Sequence, residues 1–201
     1  MEPNPKYARS GGYHEAAHVV VAGVQGIPLT EKGIHLDRWG NGIAHYLDRK
    51  PDGSVNVGTS AEREKTIIAT ASGWIAQNRV FPCPQSGAAQ DIDQINALLT
   101  EMYPEGSPSW YNAKETLLCE SRRLVELHWP AIESVALALW SKPEIPRMRE
   151  IGDWSQEPVE KYLRAEEVVE ILRQFGISAR IERRGAGARS GVAELPTQPS
   201  S

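Results

Sequence analysis

The segment that most constrains this chain is residues 12–23, which read GYHEAAHVVVAG. It contains the pattern H-E-x-x-H, formed by His14, Glu15 and His18, within a run of small and apolar residues. A helix turns by about 100° per residue, so residues four apart share a face and both imidazoles can approach one ion. Neutral imidazoles bind zinc at roughly 2.0–2.1 Å, and the intervening glutamate can then serve as a general base. The pattern predicts a zinc-dependent hydrolytic centre, with an ordinary core helix that carries two histidines as the alternative.

Length and charge place the chain among ordinary globular domains. Its 201 residues suit one domain, 40% of them are hydrophobic and 24% charged, and the net charge of −4 argues against nucleic-acid binding. The two cysteines, Cys83 and Cys119, form neither a disulfide framework nor a C-x-x-C zinc motif, and we expect Cys119 to be a small core residue. The longest apolar run, residues 19–24, is too short to span a bilayer, and the first twelve residues have no apolar signal core. We therefore expect a cytoplasmic protein that does not insert into membranes.

Hydrophobic periodicity predicts a mainly α fold (α+β) with one small β-hairpin. Apolar residues recur at helical spacing in six segments, and two short alternating runs are joined by turn residues. We predict a flexible leader over residues 1–6, one domain over residues 7–182 and a disordered tail over residues 183–201, which are rich in Gly, Ser and Pro. The predicted helices span about 7–24, 60–80 (capped by Ser60), 88–103, 110–128, 130–140 and 164–175; the hairpin strands span 33–38 and 42–48, and an irregular loop spans 142–158.

A third metal ligand is required, and a helical projection favours one aspartate. The apolar stripe of the third helix consists of Ile92, Ile95, Leu98, Leu99 and Met102. On a helical projection its centre lies about 35° from Asp91 and about 165° from Asp93, so only Asp91 faces the core. A carboxylate directed at the core is costly unless it is paired or binds metal, so Asp91 is either a ligand or a local cap or ion-pair partner. The remaining candidates are the other histidines and a glutamate: we expect His45 and His128 to be core or groove residues and His35 to be exposed, and Glu115 remains an alternative third ligand.

Four motifs in sequence order make the chain resemble a known family. They read HEAAHVVVA, GIHLDRWGNGIAHYL, IIATASGWIAQNRVF and SGAAQDIDQI. Together they resemble the peptidase domain of the FtsH family of ATP-dependent zinc metallopeptidases, over about residues 7–175. The resemblance implies a zinc cofactor held by His14, His18 and Asp91, with Glu15 as the general base.

The resemblance also implies a substrate-binding strand and a class of substrate. Its substrate-binding edge strand falls on Gly42, Ile43, Ala44 and His45, where a peptide would bind through backbone hydrogen bonds. The implied substrates are peptides or unfolded polypeptides. Relatives form rings, but their ATPase portions contribute to that assembly, so we assume no ring here and keep homo-oligomerisation as a hypothesis only.

The chain departs from the family in ways that leave a second class of function open. Ala17 replaces the family's motif glycine, Trp74 replaces an arginine, and Gln77 and Asn78 replace a glutamate pair. The sequence has no G-x-x-x-x-G-K-[ST] phosphate loop, so unfolding of a stable substrate would need a separate ATPase. The alternative to a peptidase is a non-catalytic interaction module that retains the fold and the metal.

Overall fold

The computed structural model describes residues 5–46, 58–82, 88–146 and 159–182. Residues 1–4 of the predicted leader, the predicted tail and Cys83 lie outside these ranges, as do residues 47–48 of the predicted second hairpin strand and 147–158 of the predicted loop. Helices account for most of the described residues and the strands are short, so the predicted fold class is confirmed. The helices are α1 (Pro5–Val24), α2 (Ser60–Val80), α3 (Ala89–Thr100), α4 (Pro108–Leu127), α5 (Trp129–Trp140) and α6 (Ala165–Gln174). The strands are β1 (Leu29–Thr30), β2 (Ile34–Leu36), β3 (Gly42–Ala44), β4 (Ile145–Pro146), β5 (Val159–Leu163) and β6 (Ile181–Glu182).

The first helix forms the centre of the molecule. Residues 10–23 of α1 are all buried, and the helix contacts α2, α4, α5, α6 and strands β1 to β3. A helix that is apolar on every side is typical of a protein core. Ala16 and Ala17 are fully buried, and their small side chains let neighbouring backbones approach closely. The H-E-x-x-H pattern is therefore held inside the core.

The second helix packs along α1, and its N-cap lies one residue before the predicted cap. Thr59, rather than Ser60, is the N-cap, because its side chain accepts from the backbone N–H of Glu62 while the Glu62 carboxylate accepts from the backbone N–H of Thr59. This reciprocal pair is a capping box, which satisfies two backbone donors at the helix start. Residues 66–73 of α2 are all buried and face α1, α3 and α4.

The third helix is amphipathic and lies against α2 and α4. Its buried side chains are Ile95, Leu98 and Leu99, as predicted, whereas Ile92, which we also expected in the apolar stripe, is 42% exposed. Burying each of these large aliphatic side chains contributes about 1.5–3 kcal/mol. They orient α3 so that the side chain of Asp91, in its first turn, is directed toward His14 and His18 of α1.

The sheet is larger than predicted. The predicted hairpin is present as β2 and β3, but β5 pairs with the other edge of β2 and β4 pairs with β5, giving an antiparallel order β3-β2-β5-β4. Residues 145–146 thus form a strand inside the stretch that we expected to be an irregular loop. A second, parallel pair joins β1 to β6. Among the described strands, β3 lies at the edge of the larger sheet.

The expectation for Cys119 was wrong. Cys119 is exposed, because it lies about 200° around α4 from the buried Leu117. Ser121 occupies the buried face instead, where its hydroxyl donates to the carbonyl of Ile68 at 2.8 Å. No described helix combines the length and apolar character that a membrane span needs.

Candidate metal centre

The two histidines of α1 are buried and share one face of the helix. His14 and His18 have side chains 8% and 6% exposed, and their ring centroids lie 4.6 Å apart in an edge-to-face arrangement. The Nδ1 of His14 lies 3.0 Å from Oε1 of Gln77, and the Nδ1 of His18 lies 2.9 Å from the carbonyl oxygen of Ala69. Because both partners are acceptors, each Nδ1 carries the hydrogen in the neutral ring. Each Nε2 then presents a lone pair, as a metal ligand requires.

Asp91 completes a group of three ligand atoms. Its Oδ2 lies 3.2 Å from Nε2 of His14 and 3.5 Å from Nε2 of His18. This oxygen is buried and receives no hydrogen bond. Two imidazole nitrogens and a carboxylate oxygen therefore converge, and such a group is stabilised by a cation between them or by a proton on one of the rings. In the part of the chain that the structure describes, His14, His18 and Asp91 are the one group with this property.

The spacing of the three atoms suits zinc. Ligands about 2.0–2.1 Å from a tetrahedral zinc ion lie about 3.3–3.4 Å from one another, which the measured distances bracket. Burial acts to raise the pKa of Asp91, but His18 and His14 beside it, when they carry a proton on Nε2, outweigh burial and hold that pKa below its usual range. Two nitrogens with one carboxylate oxygen form a donor set that zinc accepts. The residues fit the metal that the sequence pattern predicted.

Glu15 lies beside this group and against strand β3. Its side chain is buried, and a Cβ on Gly42 would come within 2.6 Å of its Cγ and 2.9 Å of its Oε1. The backbone N–H of Ala44 donates to the Glu15 carboxylate. The pKa of Glu15 is raised to about 7, chiefly by burial. Asp91 also acts to raise this pKa, whereas His14 and the Ala44 N–H act to lower it. Glycine at position 42 is therefore what lets the carboxylate lie against the strand.

The predicted substrate-binding strand lies next to Glu15. The N–H of His45 donates to the carbonyl of Gly33 at 3.0 Å, so His45, and Ile43 two residues before it, direct their backbone groups toward β2. Backbone direction alternates along a strand, so Gly42 and Ala44 point outward, on the side where Glu15 lies. The structure thus brings the strand predicted to bind substrate, the predicted base and the three predicted ligands to one place.

Comparison with models of known protein families and with curated proteins finds no match to this sequence. The argument for function therefore depends on the geometry of the site.

The other sequence candidates lie outside the ligand group. Asp93 is exposed, as predicted, and His128 is half-buried at the junction of α4 and α5. The side chain of Glu115 is 69% exposed on α4 and pairs with Arg122 at 3.5 Å, so it does not face His14 and His18. His45 is half-buried beside the ring of His35.

The expectation that His35 is exposed was wrong. His35 is 2% exposed, its Nδ1 lies 2.9 Å from Oε1 of Glu160, and its ring stacks on Tyr162. Alternation correctly places Ile34 and Leu36 on the core face of β2, but the side chains of β5 cover the opposite face. Burial lowers the pKa of His35, although Glu160 acts to raise it. This buried pair joins β2 to β5 and takes no part in the ligand group.

Two residues of α2, Gly73 and Gln77, shape the site, although the sequence did not identify them as part of it. Gln77 orients His14, as described above. A Cβ on Gly73 would lie 2.5 Å from Nε2 of His18 and 2.8 Å from Nε2 of His14, closer than atoms in contact can approach. Gly73 therefore provides the space in which both ligand nitrogens lie. The sequence signal is a glycine inside a long helix, which is unfavourable unless close packing requires it.

We expect Gly73→Ala to weaken zinc binding by at least about tenfold, because the new methyl group must displace rings that Gln77 and Ala69 hold in place. Helix propensity alone would favour alanine by about 1 kcal/mol. The measurement is zinc affinity by competition with a chelator, with circular dichroism to confirm the helical content. Gly106→Ala offers a comparison, since a Cβ there meets nothing within 4 Å, although its positive φ of 73° adds local strain. Unchanged zinc affinity in Gly73→Ala would contradict the assigned ring positions.

Proposed function

We propose that this chain is a zinc-dependent metalloendopeptidase that hydrolyses peptide bonds in flexible or unfolded polypeptides. The observation that carries the proposal is the convergence of His14, His18 and Asp91 on one point, with the carboxylate of Glu15 beside it. Structural zinc sites use four protein ligands, whereas catalytic sites use three and leave one position for water or substrate. A three-ligand group with an adjacent carboxylate supports hydrolysis over a purely structural role.

Each residue of the site has a defined task in this proposal. His14, His18 and Asp91 hold the metal, and Gln77 and the carbonyl of Ala69 keep both imidazoles in the tautomer that exposes Nε2. A bound zinc ion supplies Lewis acidity that polarises the scissile carbonyl and lowers the pKa of water to about 7. Glu15 accepts the proton of the attacking water on its carboxylate and donates it to the leaving amine.

Strand β3 supplies the surface for an extended substrate. The outward backbone groups of Gly42 and Ala44 lie beside Glu15, and a peptide that pairs with this edge would place its backbone near the metal. Backbone pairing needs an extended segment and makes few demands on sequence, which suits flexible or unfolded polypeptides. We further propose that the protein acts in the cytoplasm and that a separate ATPase delivers stable substrates. Homo-oligomerisation is a hypothesis that the resemblance to FtsH peptidases adds.

The test is metal content together with hydrolysis. We expect the wild-type chain to bind about one zinc ion, to cleave casein or a quenched peptide, and to lose cleavage when a chelator removes the metal. His14→Ala should lose both properties. His128→Ala, which removes a histidine outside the ligand group, is the matched control and should retain both.

The outcomes separate the two classes of function that the sequence left open. Zinc without hydrolysis of any peptide would favour the non-catalytic module. A wild-type chain that takes up no zinc would contradict the metal centre and the peptidase together.

A further inference from the structure

A buried chain of hydrogen bonds connects the helix of the third ligand to strand β3. The hydroxyl of Thr70 on α2 lies 3.0 Å from the hydroxyl of Tyr46, and Nε2 of Gln94 on α3 donates to Thr70 Oγ1 at 3.2 Å. Thr70 is fully buried and Tyr46 is 6% exposed. One threonine hydroxyl therefore joins three separate elements of the fold.

Each end of this chain contacts part of the metal centre. Gln94 follows Asp91 by three residues, so both side chains lie on the same side of the first turns of α3. The ring of Tyr46 stacks on the ring of His18, with centroids 5.5 Å apart and an angle of 23° between the planes. Tyr46 also follows β3 by two residues, so the chain of hydrogen bonds links the predicted substrate strand, one histidine ligand and the aspartate ligand.

Asp91 needs such an anchor more than the histidines do. His14 and His18 belong to the same buried helix, so their separation is fixed by α1 itself. Asp91 belongs to another helix, and its distance to the histidines depends on how α3 docks against α2. At the end of α3 that carries Asp91, the bond from Gln94 to Thr70 is a polar link between these two helices.

We propose that Thr70 is a positioning residue for the metal centre, which sets the docking of α3 and thereby the distance from Asp91 to the two imidazoles. This inference rests on the metal centre of the proposed function, but it does not require hydrolysis. Thr70 touches neither the substrate nor the reacting atoms in this proposal. It acts through Gln94 on Asp91 and through Tyr46 on His18.

The test compares two substitutions of one side chain. Thr70→Val keeps the shape of threonine and removes the hydroxyl, whereas Thr70→Ser keeps the hydroxyl and removes the methyl group. We expect Thr70→Val to weaken zinc affinity about tenfold and to alter the visible spectrum of the cobalt-substituted protein. Thr70→Ser should keep the wild-type affinity and the wild-type spectrum. Zinc affinity is measured by competition with a chelator, so peptide cleavage is not part of the readout.

Thr100→Val is the matched control. Thr100 is the last residue of α3, and its hydroxyl accepts from Nε1 of Trp110 at 3.4 Å, at the end of the helix away from Asp91. This variant also removes a hydroxyl that joins α3 to a neighbouring helix, and we expect its zinc affinity to match the wild type. Equal losses in Thr70→Val and Thr100→Val would overturn the proposal, since a general loosening of α3 would then explain both.

The remaining outcomes are also decisive. Wild-type zinc affinity in a folded Thr70→Val chain would overturn the proposal and leave the proposed function intact. Absence of zinc binding in the wild type would overturn both. If Thr70→Val fails to fold, Tyr46→Phe keeps the ring on His18 and removes the hydroxyl bonded to Thr70, and unchanged zinc affinity in that variant would count against the role of Thr70.

Discussion

Replacing Glu15 by Gln is expected to lower kcat/KM for peptide hydrolysis by roughly 10²–10⁴-fold while leaving about one zinc ion per chain. Glu15 is not one of the three converging ligands, and glutamine has the same shape, so the metal centre should persist. The glutamine carbonyl can still accept from the Ala44 N–H, but the amide cannot take a proton from water at neutral pH. Cleavage of a quenched peptide and metal analysis of the same sample measure the two effects.

An exposed glutamate provides the control for loss of one charge. Glu120→Gln makes the same change on α4, where the carboxylate pairs with Arg123, and turnover should stay at the wild-type level. Turnover by Glu15→Gln at the same level would exclude Glu15 as the base and, with it, the mechanism proposed here.

The effect of Asp91→Asn on stability is expected to depend on zinc. The variant should be at least as stable as the wild type without metal, and less stable than the wild type with zinc bound. Without metal, the carboxylate Oδ2 is buried, accepts no hydrogen bond and faces two lone pairs, whereas the asparagine amide can donate to Nε2 of His14. The metal-free variant should therefore be at least as stable as the metal-free wild type. With zinc at 100 times its Kd, the wild type should gain about 2.7 kcal/mol, and the variant should gain much less because it has lost its anionic ligand.

The measurement is thermal or denaturant unfolding of both chains, with zinc and with a chelator, at one pH above the ordinary imidazole pKa of about 6.5. Glu115→Gln is the comparison, because Glu115 was the alternative third ligand in the sequence. It should keep the full zinc-dependent gain. A loss of that gain in Glu115→Gln but not in Asp91→Asn would assign the third ligand to Glu115.

The positions of the three converging side chains were predictable in part from local helix geometry. The separation of His14 and His18 is set by one helical turn, and the apolar stripe of a single amphipathic helix places Asp91, rather than Asp93, toward the core. Both predictions depend on one element at a time, and the structure places the three side chains together. The prediction that Asp91 is a metal ligand came from the family resemblance.

The residues around the ligands were not predictable in the same way. Gly73 has its role because α2 crosses α1 closely, and Thr70 has its role because α2 also lies against α3 and Tyr46. These arrangements are set by packing between distant segments. Strand β5 was missed because five residues, two of them charged, give little periodic signal. That omission also explains the error at His35, whose outer face is covered by Glu160 and Tyr162 of the missed strand.

The burial of residues 10–23 of α1 determines how the metal centre relates to unfolding. Backbone amides in a helix enclosed on all sides exchange with solvent only through the largest opening events of the protein. We therefore expect the amides of His14 to His18 to be among the slowest to exchange with deuterium. The two imidazoles then keep their relative positions until the core itself unfolds. Helix α3, in contrast, is covered on one face only and can detach in smaller fluctuations. Escape of a bound ion should accordingly follow the motions of the helix that carries Asp91, at a rate faster than global unfolding.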